Sequence, residues 1–207
     1  MSSAQVDRTG GPALATRPAG IPLLEPGDRL TRAEFERRCL ATLEVKKAEL
    51  IEGVVHIPSP VRLQSHGRPH LQIVTWIGSY EGHTRGVIAG DNATTRLDLD
   101  NELQPDAFLM IDPARGGQAR ISADDYVEGA PELVAEIASA SASYDLHDKL
   151  KVYRRNGVKE YLVWRVQDHE VDWFTLVDGE FRRLAADGDG MVRSVTFPGL
   201  WLDVAAL

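Results

Sequence analysis

The stretch PELVAEIASASASYDLHDKLKVYRRNGVKEYLVW, residues 131–164, reads as a strand, a helix and a second strand. In PELVAEIA, residues two apart share a face. Leu133, Ala135 and Ile137 therefore point one way, and Val134, Glu136 and Ala138 the other. SYDLHDKLKVYRRNG has helical spacing and is closed by Gly157. At about 100° per residue, Leu146, Leu150, Val152 and Tyr153 form one apolar arc. Asp145 and Lys149 fall inside that arc, one turn apart, while Lys151, Arg154 and Arg155 point away. KEYLVWRVQ supplies the second strand.

Working outward, Thr31 with Glu34 three residues later forms a capping box, so a helix starts there. AELIEGVVHI is a hairpin hinged at Glu52-Gly53. PHLQIVTWIGSY places Ile73, Val74 and Ile77 on one helical face, with Pro69 in the first turn. GVIAGD, TTRLDLD and LQPDAFLMID follow as short strands separated by turn residues. EVDWFTLVDGEFRRL alternates on either side of Asp178-Gly179, a second hairpin signal. The tail FPGLWLDVAAL is expected to pack its Leu and Trp residues back onto the body. Strands first, then a strand-helix-strand unit, predict an α/β (α+β) fold: a mixed sheet flanked by helices, with hairpins added near both ends. Residues 1–27, rich in Pro, Gly, Ala and Ser, are expected to form a flexible arm before a single domain over 28–207.

The 207 residues are 43% hydrophobic and 26% charged, the balance of a soluble globular chain. No apolar run approaches the ~20 residues of a bilayer span. The single cysteine, Cys39, excludes an internal disulfide and fits a reducing cytoplasm. A net charge of −8 argues against coating nucleic acid with the whole surface. It leaves room for a local basic groove, for which KVYRRNGVK is the candidate.

Two apolar strands each carry one carboxylate: Glu136 in PELVAEIA, and Asp106 on the face of Phe108 and Met110. An unpaired ionised carboxylate there costs several kcal/mol, so each needs a cation, a donor or solvent beside it. A divalent metal is the economical explanation if the strands are neighbours, because hard cations take oxygen ligands. An amide or arginine partner, or a strand end near solvent, serves equally well on spacing alone. Lys149 is either a buried ion pair with Asp145 or, near such carboxylates, a group that orients a water or stabilises charge on a phosphate. His66 and His70 have the four-residue spacing of helical ligands, but Gly67 and Pro69 argue against a regular helix through both. PARGGQ lacks the setting of a phosphate loop, and no nucleophile elbow is present.

QPDAFLM, the Asp145–Lys149–Tyr153 spacing, AELIEGVV and NGVKEYLVW together resemble the PD-(D/E)xK restriction-endonuclease-like superfamily, and more closely its Uma-type restriction endonucleases, over Thr31 to Leu207. The resemblance implies a restriction-endonuclease-like fold and a nuclease that uses Mg²⁺ or Mn²⁺ held by Asp106 and Glu136. The superfamily places its lysine two residues after the strand glutamate. Here Ala138 stands at that position, and the resemblance implies that Lys149 has taken over the role, with Glu49 as the early acidic residue. It also implies a nucleic-acid partner, DNA by preference, no membrane, and a homodimer for cutting both strands. The alternative is a catalytically inactive member that binds nucleic acid or protein.

Overall fold

The structure, a computed structural model, describes residues 20–42, 45, 47–139 and 145–207. The expected arm lies outside the described residues as far as residue 19. Leu24 is buried against Phe35, Leu50 and Val55, and the Gly27 N–H donates to the Val55 carbonyl at 2.8 Å.

Helix α1 (Arg32–Ala41) begins where Thr31 Oγ1 accepts the Glu34 N–H at 3.4 Å. Strands β1 (Glu49–Ile51) and β2 (Val54–His56) form the first hairpin. Its corner residues Glu52 and Gly53 have φ of 49° and 72°, the paired left-handed geometry that matches the twist of a tight hairpin. Asp178 and Gly179, at 52° and 80°, turn the other hairpin in the same way.

The central sheet is mixed and has six strands: β3 (Val87–Gly90), β6 (Ala107–Ile111), β9 (Leu133–Ala138), β10 (Glu160–Arg165), β11 (Glu170–Val177) and β12 (Glu180–Arg183). Their order is β12-β11-β10-β9-β6-β3. Only β9 and β10 run parallel, and the crossover between them carries helix α3 (Leu150–Arg155). A second six-stranded sheet packs beside it, in the order β2-β1-β5-β4-β8-β7. It adds β4 (Thr95–Arg96), β5 (Glu102–Leu103), β7 (Arg120–Ile121) and β8 (Val127–Glu128) to the first hairpin. That hairpin is thus the edge of a sheet rather than a separate addition. Its companion strands are two residues long, too short for alternation to be visible in sequence.

Two cores sandwich the central sheet. On one face, Leu133, Ala135 and Ile137 of β9 meet Ile73 and Ile77 of α2 (Arg68–His83). On the other, Val134 and Ala138 share a core with Phe108, Met110, Val152 and Tyr153. The alternation of β9 is therefore real on both faces. The tail forms a ribbon of β13 (Met191–Arg193) and β14 (Trp201–Asp203). Leu200 and Leu202 pack inward as expected, whereas Trp201 alternates outward. It is half exposed, and the Arg193 guanidinium lies 4.0 Å from its ring centroid. No described helix is long and apolar enough to cross a membrane.

Candidate functional site

Strands β6 and β9 are antiparallel neighbours, with Ala107 opposite Ala135 and Phe108 opposite Val134. Extending that register by one residue sets Asp106 opposite Glu136, and opposite residues of an antiparallel pair share a face. Both are buried. Asp106 sits just before β6, and its Oδ2 accepts the Ile137 N–H at 2.9 Å. Its Oδ1 lies 3.4 Å from His66 Nε2 and 3.6 Å from Lys47 Nζ. Burial alone would push the Asp106 carboxyl up. His66, Lys47 and the Ile137 N–H outweigh it and hold the group at about 2.

Glu136 has different company. Its Oε1 accepts from Lys149 Nζ at 3.0 Å and from the Tyr153 hydroxyl at 2.8 Å. Lys149 also donates to Glu49 Oε1 at 3.1 Å and lies 3.9 Å from Asp145 Oδ1. Glu49 Oε1 in turn accepts the Gln104 N–H at 2.9 Å. Lys149 leads α3 from a π-helical turn (Asp145–Lys149), and it is buried while Lys151 is exposed. Burial pushes the Glu136 carboxyl up, and the charges of Asp106, Asp145 and Glu49 push it further, against Lys149. Burial opposes the charged form of Lys149, but Glu136, Glu49, Asp145 and Asp106 overcome it and keep the ammonium protonated. Burial and the adjacent Glu136 likewise raise the Tyr153 hydroxyl well above its ordinary value.

The structure therefore gathers Glu49, Glu136 and Lys149, and sets Asp106 on the neighbouring strand. Carboxylates outnumber the ammonium at their centre. In donor type and in charge this set fits a hard divalent cation, which takes carboxylate and carbonyl oxygens. Among the described residues, however, no three His, Cys, Asp or Glu side chains converge as a ready metal-binding group.

The histidines lie in a helical segment that is not regular. A π-helical turn (Leu63–Gly67) runs directly into α2, so His66 and His70 do share one helical stretch. The Gly67 N–H reaches back five residues to the Arg62 carbonyl, at 3.0 Å. This wider turn admits Pro69 where a regular helix would drive its ring against a carbonyl. The two imidazoles stack with centroids 5.8 Å apart. His66 Nδ1 lies 3.3 Å from the Ile137 carbonyl oxygen, and His70 Nε2 lies 2.8 Å from that of Asp106. Contact with Asp106 raises the His66 imidazole above its ordinary value, against burial. Lys47, which also donates to Asn92 Oδ1 at 2.9 Å, carries no sequence signal beyond its place just before β1.

The basic run after Lys149 has acidic neighbours at the surface. Lys151 and Arg155 pair with Glu52, Arg155 also pairs with Asp98, and Arg154 pairs with Glu180. Lys151 and Arg155 stay exposed, so these pairs hold their charges only weakly.

A sequence profile of the Uma2 family, described as "Putative restriction endonuclease", matches residues 32–205. Among solved structures, the chain is similar to a putative nuclease belonging to DUF820 from Anabaena variabilis ATCC 29413, with a TM-score of 0.65 and 18% sequence identity. The likeness covers 85% of this chain and 96% of that one. No curated protein matches the chain.

Proposed function

Because the chain belongs to the Uma2 family described as putative restriction endonucleases, we propose that it hydrolyses phosphodiester bonds of DNA with Mg²⁺ or Mn²⁺. The observation that carries this reading is the excess of buried carboxylate around Lys149: Glu49, Glu136 and Asp145 close about one ammonium, with Asp106 on the adjoining strand. Such an arrangement is unstable in its own charge, and a divalent cation or a cation bound together with a phosphate relieves it.

Asp106 and Glu136 are the residues that would hold the cation. When bound, it supplies Lewis-acid polarisation of the phosphate and neutralises developing charge. The protein's own groups do the rest. The Ile137 N–H fixes the Asp106 carboxylate, and Tyr153 fixes Glu136. Lys149, held protonated and buried, places a positive donor where charge accumulates on the phosphate oxygens, in surroundings where such a donor acts strongly. Glu49 holds the same lysine through a second hydrogen bond. Cleavage of both strands of a duplex would call for two such sites, and hence for a two-fold dimer.

The commitment of Glu136 Oε1 to Lys149 and Tyr153 favours a second reading, a member that binds nucleic acid or protein without cutting. Incubating the purified protein with DNA and RNA panels, with and without Mg²⁺ or Mn²⁺, separates the two. Metal-dependent hydrolysis that disappears in Asp106→Ala and Asp106→Asn supports the enzyme. Intact substrates under every condition exclude it.

A further inference from the structure

The charged groups of the candidate site are not equally accessible. The Lys149 and Glu136 side chains are only 7% and 4% exposed. Lys47, on the chain leading into β1, keeps 32% of its side-chain surface, and its Nζ lies 3.6 Å from Asp106 Oδ1. An anion that approaches these carboxylates from solvent therefore meets Lys47 before it meets Lys149.

The bonding of Lys47 leaves capacity for such a ligand. An ammonium has three N–H donors. One goes to Asn92 Oδ1 at 2.9 Å. The separation from Asp106 exceeds hydrogen-bond length, so the attraction there is one of charge alone. Asp106 has other partners in any case: the Ile137 N–H at 2.9 Å on Oδ2 and His66 Nε2 at 3.4 Å from Oδ1.

Asn92 is itself fixed beside the site. It lies in the turn between β3 and β4 with φ of 48°, a left-handed conformation that asparagine adopts more readily than most residues. Its N–H donates to the carbonyl of Pro105, the residue before Asp106, at 3.1 Å, and its Nδ2 meets His70 Nε2 at 3.2 Å. The approach to β6 and helix α2 thus hold Asn92 where it accepts from Lys47. A counter-charge for Asp106 requires no such holder. An ammonium that must offer donors to a ligand gains from one, because less side-chain freedom is then lost on binding.

Resting on the nuclease reading above, we propose that Lys47 is a second functional lysine, one that receives a backbone phosphate of DNA at the exposed side of Asp106 through its two unused donors. Asn92 is its positioning residue. Lys47 then stands at Asp106 and Lys149 at Glu136, one cation beside each of the paired carboxylates. A phosphate contact carries no base information, so recognition through Lys47 is independent of sequence.

Fluorescence anisotropy with labelled DNA duplexes of two unrelated sequences, in EDTA and again in Ca²⁺, reads this contact without relying on cleavage. Lys47→Met keeps the stem and removes the donors, whereas Lys47→Arg keeps donors and charge. Arg182→Met, on the edge strand β12, removes an exposed positive charge three strands away from β9. Lys47→Met should weaken binding of both sequences by about tenfold and reduce the salt slope by about 0.9, the share of one phosphate. Lys47→Arg should stay within about threefold of the parent, and Arg182→Met within about twofold. The Lys47→Met loss should also persist in an Asp106→Asn background, where there is no carboxylate left to neutralise. Its disappearance there, parent-like binding by Lys47→Met, or an equal loss in Arg182→Met overturns the proposal and leaves the nuclease reading standing. A parent protein that binds DNA under neither condition overturns both.

Discussion

At the start of β10, Glu160 is buried beneath the Ser194–Thr196 segment; near the end of β9, one strand over, Glu136 is buried beside Lys149. The first is met by neutral donors throughout: the Ser194 hydroxyl, the Val195 and Thr196 N–H groups at 2.8 and 2.6 Å, and the Trp173 indole N–H at 3.0 Å. Glu132 nearby accepts the Ile111 and Gln118 N–H groups, with the Lys159 ammonium 4.0 Å from its Oε1. The second is met by a cation that it shares with two other carboxylates. A buried acid alone thus carries no functional meaning. One saturated by fixed dipoles braces the chain, whereas one left among like charges is, on the reading proposed above, where a ligand would be received. Glu136 lies toward the carboxyl end of the parallel pair, the end where open α/β sheets place their ligands.

Lys149→Ala should break this contrast most severely. It should cut any cleavage rate by about two orders of magnitude. It should also destabilise the fold by about 3–5 kcal/mol by leaving buried carboxylates uncompensated. Millimolar Mn²⁺ should restore part of the lost melting temperature, as calorimetry with and without the ion would register; no restoration means the carboxylates do not accept a divalent cation. Glu160→Ala comes next, orphaning several buried donors at about 1–3 kcal/mol for each one that water cannot reach. Its melting temperature should be indifferent to Mn²⁺, and a Mn²⁺ response equal to that of Lys149→Ala would erase the distinction between the two acids.

Acid titration gives an effect of intermediate size. The Asp106 carboxyl is held at about 2 in the folded chain, against an ordinary value of 3.8. Its contribution, about 2 kcal/mol by linkage, is fully present above pH 4 and is lost as pH falls through about 2. Denaturant melts between pH 2 and 5 should therefore slope less steeply for Asp106→Asn than for the parent; equal slopes would remove Asp106 as a strongly stabilised anion. The smallest change is expected from Lys151→Ala. That lysine is exposed and its pair with Glu52 is screened, so stability should move by no more than about 0.5 kcal/mol. A loss of activity matching that of Lys149→Ala would show that the wrong lysine has been placed at the site.

The sequence was legible where short-range geometry dictates the outcome. Glu52-Gly53 and Asp178-Gly179 supply the left-handed pairs that tight hairpins demand, Thr31 caps a helix, and the alternation of β9 sorts Ile137 from Glu136. The helical arc also separated Lys149 from Lys151, although the first turn proved π-helical. The place of His66 was not legible, because Gly67 and Pro69 speak against a regular helix and only the wider turn reconciles them with one. Nor was the Tyr153 hydroxyl's bond to Glu136, which depends on the depth at which α3 packs rather than on which face it presents. The second sheet escaped notice because several of its strands are two residues long and depend on partners far along the chain.

The bond from the Ile137 N–H to Asp106 Oδ2 makes one side chain the last rung of the ladder between β6 and β9. Amide hydrogen–deuterium exchange at Ile137 consequently becomes a built-in gauge of the site's integrity, readable with no substrate present. Asp106→Asn keeps an acceptor oxygen and should leave that amide slow to exchange, whereas Asp106→Ala should let the strand end fray and the amide exchange readily. Two variants equally silent in a cleavage assay would then differ in kind: one has lost its chemistry, and the other has also lost the seam that holds its two strands in step.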